Sequence, residues 1–191
     1  AATKEPLPEG PWNTAKMPGF LRADHTVRIG HGGHDFDSAC EALRQWTHYA
    51  QDWIRVYPRP PKLEAGSTFV VAAKTYGMWS TSACRVYEVI EQSTPTKRFG
   101  FAYRTLAHHV EQGAARFVVE QRNDGDVMLE IRTISRLKHL LPRLLSPLGR
   151  RVQRIALAGA IKSIEAAVLK AARTESHRHN PGRIELHPYC R

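Results

Sequence analysis

Apolar positions change their spacing twice along this chain, first from helical to alternating and then back to helical. Phe36, Ala39, Cys40, Leu43, Trp46 and Ala50 recur at helical intervals behind Asp35 or Asp37, either of which can cap a helix. Trp53, Val56 and Tyr57 continue the apolar character until Pro58, Pro60 and Pro61 end it. Beyond Gly66 the period becomes two. Thr68–Tyr76, Cys84–Glu91, Lys97–Leu106, Ala115–Gln121 and Val127–Ser135 read as five strands of an antiparallel meander, preceded by a short first strand over Thr26–Ile29. Asn123-Asp124-Gly125-Asp126 is the clearest hairpin signal, because Asp-Gly tolerates the positive backbone angles of a tight turn. From Leu140 the helical period returns, and Leu144, Leu145, Leu148, Val152, Ile155, Ala156, Gly159, Ile164, Ala167, Val168 and Ala171 predict a long helix from about Pro147 to Arg173.

The centre of the pattern is Arg98–Glu120. Phe99, Phe101 and Tyr103 alternate with Gly100, Ala102 and Arg104, so a strand here places three rings on one face. A turn holding His108, His109 and Gly113 follows, and Phe117 and Val119 start a second alternating run beside Val118 and Glu120. Two antiparallel strands flanking an apolar space are expected. The ends of the chain differ from this core. Pro6, Pro8, Pro11 and Pro18 predict an extended arm over residues 1–24, and Pro181 and Pro188 predict an extended, basic, His-containing tail over residues 174–191. The folded domain between them spans residues 25–173.

With 191 residues, one domain with two tails accounts for the length. No stretch approaches the ~20 uninterrupted apolar residues of a membrane-spanning helix. Cys40, Cys84 and Cys190 are odd in number and lack a CxxC pair, which fits reduced thiols. The chain starts at Ala1, implying that an initiator methionine or a longer presequence has been removed. A net charge of +10 suits an anionic partner, and it equally suits a protein of the mitochondrial matrix. The charge is unevenly spread. Ile131–Ile164 contains no Asp or Glu but holds Arg132, Arg136, Lys138, Arg143, Arg150, Arg151, Arg154 and Lys162. Interleaved leucines make it an amphipathic interface element as well as a basic one.

Strand, helix, curved meander and long terminal helix is the order of a helix-grip fold, an α+β architecture in which the sheet wraps the last helix. Arg28, Gly30, His31, Gly32, Phe36, Trp46, Gly66, the run Arg98–Tyr103, Thr105, His108, Gly113, Phe117, Glu120 and Ser135-Arg136 resemble the domain-of-unknown-function family numbered nineteen-ninety, over about Thr26 to Gln153. RFGFAYRTLAHH and GAARFVVE are similar to that family's usual blocks, with Arg104, Ala107, Ala114 and Ala115 as departures. The resemblance implies kinship with the START and birch-pollen-allergen proteins, which enclose lipids, sterols or other apolar ligands. It implies no activity, since the family's own is uncharacterised.

Several residue sets are candidates for function. Trp46, Trp53, Trp79, Phe101, Tyr103 and Phe117 are the expected lining of a ligand cavity, or else plain core. Arg136, Lys138, Arg143, Arg150, Arg151 and Arg154 form the expected docking surface for an anionic partner, which would be an acidic subunit or lipid phosphate. His108 is the candidate general base, with Glu120 or Glu130 to orient it; the alternative is a structural, hydrogen-bonded histidine. His31 and His34 with Asp35 or Asp37, and His177, His179, His187 and Cys190, contain zinc-type ligands at spacings that match no familiar site, so no metal and no cofactor is assigned. High charge without a recognition motif makes nucleic acid a minor reading. No phosphate loop, nucleophile elbow or hydrolase motif is present.

The sequence therefore predicts a non-enzymatic accessory or scaffolding subunit of an organellar assembly, mitochondrial in the matrix or on its matrix-side membrane surface, with a cytoplasmic location as the alternative. The other reading is a soluble carrier or sensor holding an apolar ligand between sheet and terminal helix. An open cavity favours the second, and a filled one the first.

Overall fold

The computed structural model describes residues 21–106, 111–137 and 146–179, with side chains for 22–106, 112–135 and 150–175. Seven strands form one antiparallel sheet in the order β1-β7-β6-β5-β4-β3-β2. They are β1 (Leu21–His31), β2 (Ile54–Tyr57), β3 (Thr68–Thr75), β4 (Met78–Gln92), β5 (Lys97–Thr105), β6 (Glu111–Gln121) and β7 (Asp126–Leu137). Helix α1 (Gly32–Arg44) follows β1, a 3-10 turn spans Thr47–Tyr49, and α2 (Ser146–His179) ends the described chain. The sheet curves around α2 as a helix-grip, START-type fold.

Alternation explains the sheet. On β5, Phe99, Phe101 and Tyr103 point to the core, and their cross-strand partners on β6 are Val119, Phe117 and Ala115. Gly100 is obligatory: a Cβ there would lie 2.2 Å from the Phe117 carbonyl oxygen. The β6–β7 hairpin closes as its sequence predicts, with the Gly125 N–H donating to the Arg122 carbonyl at 3.0 Å and Gly125 at φ +87°. Helix α2 buries Leu157, Ala160, Ile164 and Val168, one stripe at helical spacing. Ile155, placed in that stripe by sequence, is instead 52% exposed.

Several boundaries differ from expectation. β1 begins at Leu21, inside the proposed arm, because Leu21–His25 finds a partner in Ser135–Ile131 of β7. Helix α2 runs past Arg173 to His179, since no glycine or proline interrupts it before Pro181. Helix α1 stops at Arg44, ahead of Trp46, which takes a left-handed φ of 56°. His31 occupies the cap position; its backbone N–H donates to Asp35 Oδ2 at 2.9 Å, so Asp35 reaches back instead of capping. Ile54–Tyr57 is an edge strand and no helical extension, its alternate residues buried and exposed. β4 starts six residues before Cys84, where a serine- and threonine-rich stretch pairs with β3 from Thr75↔Met78 onward. Gly113 lies within β6, not in a turn, and a Cβ there would come 2.7 Å from the Ile134 carbonyl.

One end of the sheet gathers the starts of β1, β2, β4 and β6 and the ends of β3, β5 and β7. Helix α2 enters at this end and leaves at the other, where His34 Nε2 meets Glu175 at 2.9 Å. α1 packs against α2, and the 3-10 turn is tied to it by Gln51, whose amide donates to the carbonyls of His48 at 3.2 Å and Ala156 at 3.1 Å.

Candidate functional site

Following each strand toward the end where α2 enters, the inward side chains shrink and become polar. β5 passes from Phe99 and Phe101 to Tyr103 and Thr105, and β6 from Val119 and Phe117 to Ala115 and Gly113. β7 passes from Val127, Leu129 and Ile131 to Thr133 and Ser135, and β4 from Val86 to Cys84 and Ser82. The helix over them follows suit, with Ile164 and Val168 giving way to Ala160, Leu157 and Ala156. The result is a cavity of about 830 Å³ between sheet and α2, with mostly apolar walls. Its size falls in the range of sites for drug-sized molecules, roughly 300–1,000 Å³.

Polar groups sit at two levels. Inside, the hydroxyls of Tyr49 and Tyr103 are hydrogen-bonded to each other, Thr105 Oγ1 accepts from the Gly113 N–H at 2.9 Å, and Gln153 Nε2 donates to Ser135 Oγ at 2.6 Å. At the rim stand Arg22, Asp24, His25, Arg150 and Arg154, all exposed. Arg22 is bonded to Asp24. Arg150 and Arg154, four residues apart, project from the same side of the entering turns of α2.

His48 is the anomaly in the wall. It is 0% exposed, and among the described residues neither ring nitrogen has a hydrogen-bond partner. Rings of Trp46, Tyr49, Phe101 and Phe117 surround it, with Phe117 at 4.4 Å between centroids. Burial pushes its pKa down to about 3, so the imidazole is neutral at physiological pH. Nothing in the sequence marks it: a single histidine in Thr-His-Tyr owes its position to the tertiary fold.

The aromatic residues expected to line the cavity divide into three groups. Tyr103 and Phe117 line it. Trp46 and Phe101 are buried behind the wall, Trp46 at 4.5 Å from Phe69 and 4.8 Å from Phe101 between centroids, with its indole N–H donating to the Pro61 carbonyl at 3.0 Å. Trp53 and Trp79 do not reach it. Trp79 is 46% exposed on β4, opposite Lys74, and its ring lies 4.9 Å from the Arg55 guanidinium. Strand alternation puts Trp79 on the sheet face away from α2, a consequence of the register that the missed start of β4 had hidden.

Of the expected docking cations, Arg150, Arg151 and Arg154 are exposed on α2, whereas Lys138, Arg143 and the side chain of Arg136 lie outside the described residues. His108 also lies outside them, as do the side chains of His177 and His179, and His187 and Cys190. The proposed partners of His108 are committed elsewhere: Glu120 pairs with Arg98 at 3.1 Å and Glu130 with Arg132 at 2.7 Å, all on the outer face of the sheet. His31 bonds Asp126 at 3.2 Å. Among the described residues no group of three His, Cys, Asp or Glu side chains converges as a metal site would require. Cys40 and Cys84 are buried free thiols, and desolvation pushes Cys40 up to about 12, leaving it inert.

Comparison with known proteins places this geometry in context. The family model described as "Domain of unknown function (DUF1990)" matches residues 8–163. A UPF0548 protein of Dictyostelium discoideum is 34% identical over 102 residues, covering 52% of this chain and 47% of that protein. One from Arabidopsis thaliana is 31% identical over 126 residues, covering 64% and 61%. The chain thus spans about half to three-fifths of the length of these relatives. Among solved structures, a START superfamily protein from Mycobacterium smegmatis superposes with a TM-score of 0.55 at 14% identity, covering 78% of this chain and 97% of that one.

Proposed function

This chain belongs to the DUF1990 family and has a START-type fold, and from that premise we propose that it is a carrier or sensor of a small, largely apolar molecule. The ligand sits between the sheet and α2. The carrying observation is the cavity itself. About 830 Å³ stays free among the described residues beside a filled aromatic core, a volume that suits a small-molecule ligand. The apolar walls supply the affinity through burial, and the Tyr49–Tyr103 hydroxyl pair, Thr105 and Gln153 supply a few orienting hydrogen bonds. Arg150 and Arg154 at the rim favour a polar or anionic head group over a purely hydrocarbon ligand.

Membership of an organellar assembly, the other expectation, rests on the altered family motif, the two tails and the basic run Ile131–Ile164, much of which lies outside the described residues. Arg150 and Arg154 already have a role at the cavity rim. The test is uptake of anilinonaphthalene sulfonate, an apolar anion of suitable size, by the full chain. Ala115→Phe combined with Ala160→Phe fills facing positions on sheet and helix and divides the cavity. Saturable fluorescence enhancement in the parent, lost in the double variant while its circular dichroism stays native, supports the carrier. Equal enhancement in both sinks it.

A further inference from the structure

The hairpin joining β3 to β4 stands at the end of the sheet that holds the cavity rim, beside the Thr105 end of β5, with Arg22 and Ser135 at the same end on the far strands β1 and β7. Its turn residues, Tyr76 and Gly77, both have positive φ, at 50° and 83°. Such turns favour asparagine or glycine at the first position, and a tyrosine there adds conformational cost. The fold gains little from it. Tyr76 is 65% exposed, Met78 73% and Trp79 46%, so three large apolar side chains crowd a protruding tip.

The charged residues of the hairpin and its neighbours are mostly basic. No Asp or Glu occurs between Glu64 and Glu88. Lys74 lies directly across from Trp79, and Arg55 stacks on the Trp79 ring. Arg104, Arg150 and Arg154 belong to the same end of the molecule. Among the described residues the acids at this end are Asp24, already bonded to Arg22, together with Asp52 and Glu111. Tryptophan and tyrosine prefer the headgroup layer of a bilayer, and nearby lysine and arginine are drawn to anionic lipid. A stable protein interface buries ~800 Å² on each partner, more than a hairpin tip presents.

We infer that this end of the molecule docks on an anionic lipid surface, with Tyr76, Met78 and Trp79 entering the headgroup layer and Arg55 and Lys74 meeting lipid phosphates. The cavity rim then faces the bilayer, which gives an apolar ligand a path that avoids water; this last step rests on the carrier reading, whereas docking itself does not.

The experiment is co-sedimentation of the full chain with phosphatidylcholine vesicles and with mixed phosphatidylcholine and phosphatidylglycerol vesicles, with anilinonaphthalene sulfonate uptake measured on the same preparation. Binding is expected to the mixed vesicles and to weaken with salt. Met78→Ser with Trp79→Ser should reduce it about tenfold, and Lys74→Glu should weaken it further. Because these side chains are exposed, the fold should survive. As an independent readout, brominated lipid should quench tryptophan emission, and Trp79→Phe should reduce that quenching. Failure to bind mixed vesicles overturns the docking, as does equal binding by the serine variant, including the case in which the tip instead captures a protein. Dye uptake without vesicle binding leaves the carrier standing and removes only the docking; vesicle binding without dye uptake does the reverse.

Discussion

The two ends of the sheet are built from the same strands and do opposite things. At the closed end, Phe99, Phe101, Leu129 and Ile131 are buried in one cluster with Phe36, Leu43, Trp46, Ile164 and Val168. At the open end, Thr105, Ala115, Gly113, Thr133 and Ser135 continue the same inward rows and leave a cavity. Large side chains therefore make the fold stable, and small ones make it useful. Of the expected aromatics, Tyr103 and Phe117 reach the open end, while Trp46 and Phe101 belong to the closed one.

Substitutions should separate the ends by what they damage. Phe101→Ala opens a void in the closed end and should cost about 4 kcal/mol in denaturant unfolding, as buried Phe→Ala changes do. Gly100→Ala pushes a methyl into the β6 backbone and should cost about 2–3 kcal/mol, read from the same transition. His48 stands at the boundary and makes stability depend on pH. Its pKa falls from 6.5 to about 3 on folding, so the unfolded chain takes up the proton first. The contribution is complete above pH 6.5 and declines as pH falls toward 3, by about 1.4 kcal/mol per unit, so acidification from pH 7 to 5 should remove about 2 kcal/mol. His48→Phe should flatten that part of the profile; an unchanged slope would locate the proton uptake in another group. At the open end, Thr133→Val should change stability by less than about 1 kcal/mol while altering dye affinity. Smallest of all, Arg154→Ala should leave stability within about 0.5 kcal/mol and weaken only the anionic probe.

Much of this architecture was readable from periodicity. The alternation of Phe99, Phe101 and Tyr103 specifies both a strand and its buried face, and Asp124-Gly125 specifies the hairpin that follows β6. Where short-range pattern is silent, the reading erred. Val56 and Tyr57 suit a helix or a strand equally, and only pairing of Ile54–Tyr57 with Val70–Ala73 makes them an edge strand. Met78–Ala83 lacks apolar alternation because its outer face is exposed, so its strand character comes from the β3 partner. The cavity was written in the sequence as a decline in side-chain size along β5, β6 and β7, visible only once the register shows which positions share a layer. His48 had no such signal, because its isolation is made by rings from α1's exit, β5 and β6.

The most direct test of the central claim is native mass spectrometry of the protein gently isolated from its own cells without detergent. The carrier account predicts a single chain with a small apolar molecule retained, released on collisional activation and absent from the Ala115→Phe, Ala160→Phe variant. A chain that is always bare, held within a large assembly, would contradict it and return attention to the exposed arginines of α2.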